Sequence, residues 1–137
     1  KLFSIVTAIN YAFAIPITFI ATSVVTLIYG ENYALGGPIF AVHVWSGLFV
    51  SLGVARSPCL IAEGLTKFSA AATATGAVVN VILNYFLIIK YGIMGAAIST
   101  IIAQIIASYA SHSFHPKTRR IFIEQTKALL LMGLWRN

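Results

Sequence analysis

The sequence predicts an all-α integral membrane bundle of about four transmembrane helices, and three observations lead there. Hydrophobic residues make up 59% of the chain and charged residues only 9%, against about 25% charged in ordinary soluble domains; mean hydropathy is +0.92. Long runs carry no charge at all, among them Leu2 to Gly30 and Phe68 to Ile89. At about 1.5 Å rise per residue the second is about 33 Å long, enough to cross a hydrocarbon core of about 30 Å. Finally, small residues recur at helical spacing inside these runs, as membrane helices need where they pack closely.

The first span, about residues 4–29, ends at Tyr29, an interface anchor. Pro16 in its middle removes a backbone hydrogen bond and predicts a kink. Asn10, Thr18, Thr22 and Thr26 share a face with Ala14; that stripe serves either interhelical hydrogen bonding or a substrate path. Glu31 to Pro38 is a turn by composition, with Gly36-Gly37-Pro38 restarting a helix. The second span covers about residues 38–56, with His43, Gly47, Ser51 and Ala55 at fourfold spacing. A lone intramembrane histidine is either a hydrogen-bonded packing residue or a proton relay. Arg56 to Lys67, with both signs of charge and a proline, reads as a loop.

The third and fourth spans, about residues 68–89 and 92–112, form a hairpin closed by Lys90-Tyr91-Gly92. Gly95, Ser99, Ala103, Ala107 and Ser111 lie four apart and lay a shallow ridge along one face, where a partner helix approaches closely. The third span offers the matching row Ala72, Gly76, Asn80, Asn84. An unpaired amide in hydrocarbon is costly, so Asn80 and Asn84 are expected to point into protein or water. Residues 114–137 are basic and mixed, a cytoplasmic or interfacial tail starting at His115-Pro116, with Trp135 and Arg136 as anchors or as part of a truncated further span. A chain that begins at Lys1 is expected to be a fragment.

Charge sets orientation. Lys1, Arg56, Lys67, Lys117, Arg119 and Arg120 fall on one side of the bundle and Lys90 on the other, which makes the first side cytoplasmic. The net charge of +6 thus reflects membrane topology rather than nucleic acid. Cys59, the single cysteine, gives neither a disulfide nor a metal set and reads as an apolar filler. The chain has no aspartate, and Glu31, Glu63 and Glu124 all flank the spans. This excludes a Ser-His-Asp triad and weakens an ion-coupled carboxylate site. His112 and His115 lack acidic or thiol neighbours, so solvation at the interface accounts for them better than zinc. No metal, no cofactor and no enzymatic activity are expected.

The run Asn80-Val81-Ile82-Leu83-Asn84, followed by Lys90-Tyr91-Gly92-Ile93-Met94-Gly95-Ala96-Ala97-Ile98-Ser99-Thr100, resembles the signature near the end of a repeat in polysaccharide flippases of the multidrug/oligosaccharidyl-lipid/polysaccharide exporter superfamily. Leu27-Ile28-Tyr29-Gly30-Glu31-Asn32-Tyr33 resembles that family's turn between two helices. The likeness runs to about Ser113, and the order of four helices is similar to the polysaccharide biosynthesis protein C-terminal domain, the final part of a transporter with about twelve spans. It implies a flippase that moves a lipid-linked oligosaccharide across the bacterial cytoplasmic membrane by alternating access around a cationic cavity. Membrane lipid and the remaining helices of the transporter would be its partners. The spans as drawn hold no Lys or Arg, so the cationic contact would come from Arg56 at their edge, whose other reading is a positive-inside anchor. Asn80 and Asn84, then Asn10 and His43, are the further cavity candidates. The alternatives are a drug/cation antiporter of the same superfamily and a small scaffold acting by helix association.

Overall fold

A computed structural model describes residues 1–132, and every regular element among them is helical. Helix α1 covers Leu2–Tyr29, α2 Gly36–His43, α3 Ser46–Ala62, α4 Thr66–Tyr91, α5 Ile93–Ser108 and α6 Arg119–Leu129, with short 3-10 turns over Glu31–Tyr33 and Ala110–Ser113. Among the described residues four stretches are long and apolar enough to cross a membrane: Leu2–Tyr29, Gly36–Ala62, Thr66–Tyr91 and Ile93–Ser113. The chain is an all-α, multi-pass membrane bundle. Its outer surface is apolar, with Phe19 84%, Leu27 86% and Ile89 75% exposed, which is where lipid replaces water as solvent.

Helix α5 is the centre of the bundle and packs against α4, α3 and α2. The chain enters it from α4 through one residue, Gly92, at φ 59 and ψ −143, a conformation essentially restricted to glycine that costs a residue with a Cβ about 1–3 kcal/mol. The two helices then run antiparallel at close range. A Cβ on Gly76 would lie 2.6 Å from Ala107 Cβ and 3.0 Å from the Ala103 carbonyl oxygen, and one on Gly95 would run into the Leu87 backbone. Glycine at both ends of the seam therefore sets the interaxial distance. Gly95, Ser99, Ala103 and Ala107 are all buried there, as are Ala72 and Gly76 across from them.

Helix α1 packs against α2, α3 and α6. It buries Ser4, Thr7, Ala14 and Ala21, positions three or seven apart that share one helix face. It runs without a break through Pro16, the position of the expected kink, which lies on the exposed side.

The second span differs from the sequence expectation at both ends. Between α2 and α3 the Trp45 amide donates to Val42 O at 3.3 Å and the Gly47 amide to Val44 O at 3.1 Å. These i−3 bonds tighten the turn and rotate α3 about its axis relative to α2. His43 consequently leaves the row it was expected to share with Gly47, Ser51 and Ala55: it is exposed, whereas Ser46, Leu48, Leu52, Ala55 and Arg56 are buried. At the other end, the supposed loop from Arg56 is helical as far as Ala62, with Pro58 inside the helix. A proline removes one hydrogen bond, but in a bilayer an unwound backbone leaves several groups without partners, so helix outcompetes loop. Cys59 on this segment is exposed rather than a buried filler.

After α5 the chain folds back. Ile121, Gln125 and Ala128 of α6 are buried, four and three residues apart on one face. Helix α6 packs on α1, where the Tyr11 hydroxyl donates to Leu129 O at 2.9 Å. Much of the expected interfacial tail is thus docked on the bundle. The expected anchors Trp135 and Arg136 lie outside the described residues.

Candidate functional site

Extending α3 to Ala62 carries Arg56 into the bundle. It is 3% exposed, and His112, in the 3-10 turn after α5, is 0% exposed. Arg56 Nη1 lies 2.6 Å from His112 Nε2, and Arg56 Nε donates to Gly53 O at 3.3 Å. A guanidinium only donates, so Nε2 is the acceptor and the imidazole proton belongs on Nδ1. That nitrogen faces Ser111 Oγ at 3.1 Å, and Ser111 Oγ in turn donates to Ala107 O at 3.1 Å. Arg56 Nη1 also lies 3.4 Å from Nδ1, but the shorter contact makes Nε2 the acceptor, and the chain continues through Ser111 to the α5 backbone. Phe68 of α4 closes the site edge-on to the imidazole, with ring centroids 5.7 Å apart. His112 is therefore a buried partner of an arginine and not an interfacially solvated side chain.

Among the described residues this pair has no anionic partner. The ion pair found among the described residues, Lys127 with Glu124 at 3.0 Å, lies on the exposed side of α6. A buried guanidinium without a carboxylate is costly, with an effective desolvation penalty of several kcal/mol even after relaxation. Neighbouring polar contacts hold the backbone around it. Gly53 gives α3 close access to α5, since a Cβ there would lie 2.5 Å from Ser108 Oγ. The Gln125 amide bridges both helices from α6, donating to Leu52 O at 3.3 Å and to Ser108 O at 3.2 Å.

Beside this knot the bundle is grooved. A cleft of about 620 Å³ runs between α3 and α4, lined by Ser57, Leu60, Thr66, Ser69 and Thr73 among others. Leu60 is one helical turn beyond Arg56, on the same face. A second cleft of about 250 Å³, between α4 and α5, includes Asn80, Thr100 and Gln104, and adjoins the first at Thr73 and Ala77. Along α4, Thr66, Ser69, Thr73 and Asn80 lie on one face, so the helix presents a polar stripe to the groove.

The structure brings Asn80 and Asn84 together. Asn84 Nδ2 donates to Asn80 Oδ1 at 3.0 Å, and Ser99 Oγ on α5 is in hydrogen-bond contact with Asn84 Oδ1. Asn84 is thus an interhelical amide, while Asn80 reaches the cleft. Asn10 is elsewhere, between α1 and α3: it donates to Val6 O at 2.8 Å and accepts from Ser51 at 3.4 Å. His43 joins none of these groups. Sequence reasoning placed Arg56 at an edge and missed His112, Gln104 and Gln125 as partners. For Gln125 a signal was present, an amide in register with Ile121 and Ala128 on an apolar face. Gln104 is a polar residue directly after Ala103 on the small-residue ridge.

Among the described residues no group of three or more His, Cys, Asp or Glu converges as a metal set would. The site offers one fixed cation, an imidazole, and a row of hydroxyls and amides, which are groups that bind and orient. Neither a protein-family model, nor a curated protein, nor a solved structure matches this chain.

Proposed function

We propose that this chain is part of a flippase that moves a lipid-linked oligosaccharide or polysaccharide precursor across the bacterial cytoplasmic membrane, working with further helices that close the groove from the other side. The observation that carries this reading is Arg56, a cation buried in a membrane bundle with no carboxylate partner among the described residues, near a largely apolar groove that carries the hydroxyls of Ser57, Thr66, Ser69 and Thr73 in its wide part and the amides of Asn80 and Gln104 in its narrow part. An intramembrane ionisable residue is retained at a cost and points to function. A cation of this kind suits an anionic pyrophosphate-linked headgroup, and the polar stripe suits the sugars attached to it. The motif around Asn80, Asn84 and Gly95 supports the same reading by resemblance. Helix association alone is a second reading, favoured by the Asn84–Ser99 contact across the seam.

The test is translocation of a fluorescent undecaprenyl-pyrophosphate glycan in vesicles containing this chain together with the further helices that close the groove, scored by accessibility to an external quencher. The rate is expected to fall about tenfold or more in Arg56→Gln, as loss of a charge-assisted contact worth about 1.5–3 kcal/mol requires, with partial recovery in Arg56→Lys. Equal rates in wild type, Arg56→Gln and protein-free vesicles would rule the reading out.

A further inference from the structure

The two clefts of the groove differ in what they can hold. Neither is lined by a charged side chain. The wide one is lined by Ser57 and Leu60, the residue after Arg56 on α3 and the one a helical turn beyond it. The narrow one, at about 250 Å³, is below the range of about 300–1,000 Å³ typical for drug-sized ligands, so it takes one compact group.

Its hydrogen-bonding capacity is specific. Asn80 Oδ1 accepts from Asn84 at 3.0 Å, which fixes how the Asn80 amide is turned and leaves its Nδ2 without an acceptor among the described residues. The Gln104 amide likewise has no partner there at either end. The neighbouring hydroxyls are committed as donors, Thr100 to Ala96 O at 2.9 Å and Thr73 to Ser69 O at 3.0 Å, so each offers only lone pairs. The antiparallel register puts the two amides at nearby depths: Gly76 faces Ala103 and Ala107, and Asn84 faces Ser99, which brings Asn80 level with the Ile102–Ala103 step, next to Gln104. Two amides with unused hydrogen bonds at nearby depths of a hydrocarbon-embedded helix pair are expensive unless something fills them.

Phosphate is the wrong occupant, because the narrow cleft has no cation. A hydroxyl both donates and accepts, and a ring bearing several of them meets free donors on Asn80 and Gln104 together with acceptors on Gln104, Thr73 and Thr100. We propose that Asn80 and Gln104 form a seat for one uncharged polyhydroxylated ring, with the charged part of the same molecule held towards Arg56. The seat rests on the transport reading and adds two specificity-determining residues to it.

The test uses a single reporter cysteine, Ala77→Cys with Cys59→Ser, because Ala77 lines both clefts. Maleimide labelling of the protein in vesicles is timed with N-acetylglucosamine, with inorganic pyrophosphate, and with neither. The sugar is expected to slow labelling several-fold and pyrophosphate to leave it unchanged. Gln104→Met, matched in volume, should abolish the protection, Gln104→Asn should restore part of it, and Asn80→Leu gives an independent second loss. Unchanged labelling in the presence of sugar overturns the proposal, and so does equal protection by pyrophosphate. If Gln104→Met instead converts a cross-linkable dimer to monomer and sugar never protects, the amides serve helix association and the proposal also falls. Translocation separates the two levels: failure of the seat with Arg56-dependent translocation intact sinks only the seat, whereas loss of both sinks the transport reading.

Discussion

The α4–α5 seam and the knot where α3, α5 and α6 meet are both buried, yet they are held in opposite ways. The seam is backbone against backbone, with Gly76 and Gly95 admitting the neighbouring helix and a single amide–hydroxyl contact between Asn84 and Ser99. The knot is held by polar side chains, with Arg56 bonded to His112 and to Gly53 O of its own helix, and Gln125 bonded to the backbones of α3 and α5. Shape governs the first region and side-chain hydrogen bonding the second, where Gln125 Oε1 is nonetheless buried without a partner among the described residues. Lipid tails are as apolar as leucine, so close packing holds helices together where burial of apolar surface does not. A polar knot is stable only while every partner remains.

The largest effect is therefore expected in the knot. His112→Leu leaves the Arg56 guanidinium buried with only Gly53 O as acceptor among the described residues, and orphaning a buried charged donor in this way costs about 3 kcal/mol or more. The double variant Arg56→Met/His112→Leu should recover most of that loss, since it removes the charge along with its partner. Unfolding free energies of the two singles and the double, measured in bicelles, give the coupling directly. Additive losses would mean that the pair is not a unit.

Next comes the seam. Gly95→Ala places a Cβ against the Leu87 backbone, which cannot rotate away as a side chain would. The expected loss is about 1–3 kcal/mol, the range for overpacking. Gly36→Ala is the control: its Cβ would meet only Val25 Cγ1 at an ordinary 3.5 Å, so its effect should stay within about 0.5 kcal/mol. Similar losses in both would show that glycine flexibility, and not close approach, is what matters at position 95.

These two regions also differ in how far the sequence reveals them. The seam is written in local periodicity, because Gly95, Ser99, Ala103 and Ala107 fall on one face whatever surrounds them. Asn84 belongs to the same kind of row on α4. The knot is assembled from residues far apart in the chain: Arg56 and His112 are separated by 56 positions, and nothing in either neighbourhood announces the other. Pro58 concealed the pair further, since a proline after an arginine marks a helix end in water, whereas here the helix persists because an open backbone in lipid costs more. His43 failed for a local reason. The tightened turn at Val44–Trp45 shifts the register by an amount that spacing rules assume to be zero.

Apart from the Gly36 control, the smallest effect is expected where the two principles overlap, at Ser99. Its hydroxyl has one proton and two acceptors, Asn84 Oδ1 across the seam and Ala96 O at 2.9 Å in its own helix. Ser99→Ala removes both contacts but leaves Asn84 bonded to Asn80, keeps the small side chain, and strands no buried charge. Interhelical hydrogen bonds in membrane proteins average about 0.6 kcal/mol, so a loss near that value is expected in the same unfolding assay, well under that of Gly95→Ala. A loss above about 2 kcal/mol would reverse the ranking: the amide–hydroxyl bond would then hold the hairpin and the glycines would merely accommodate it, making the seam a second polar knot.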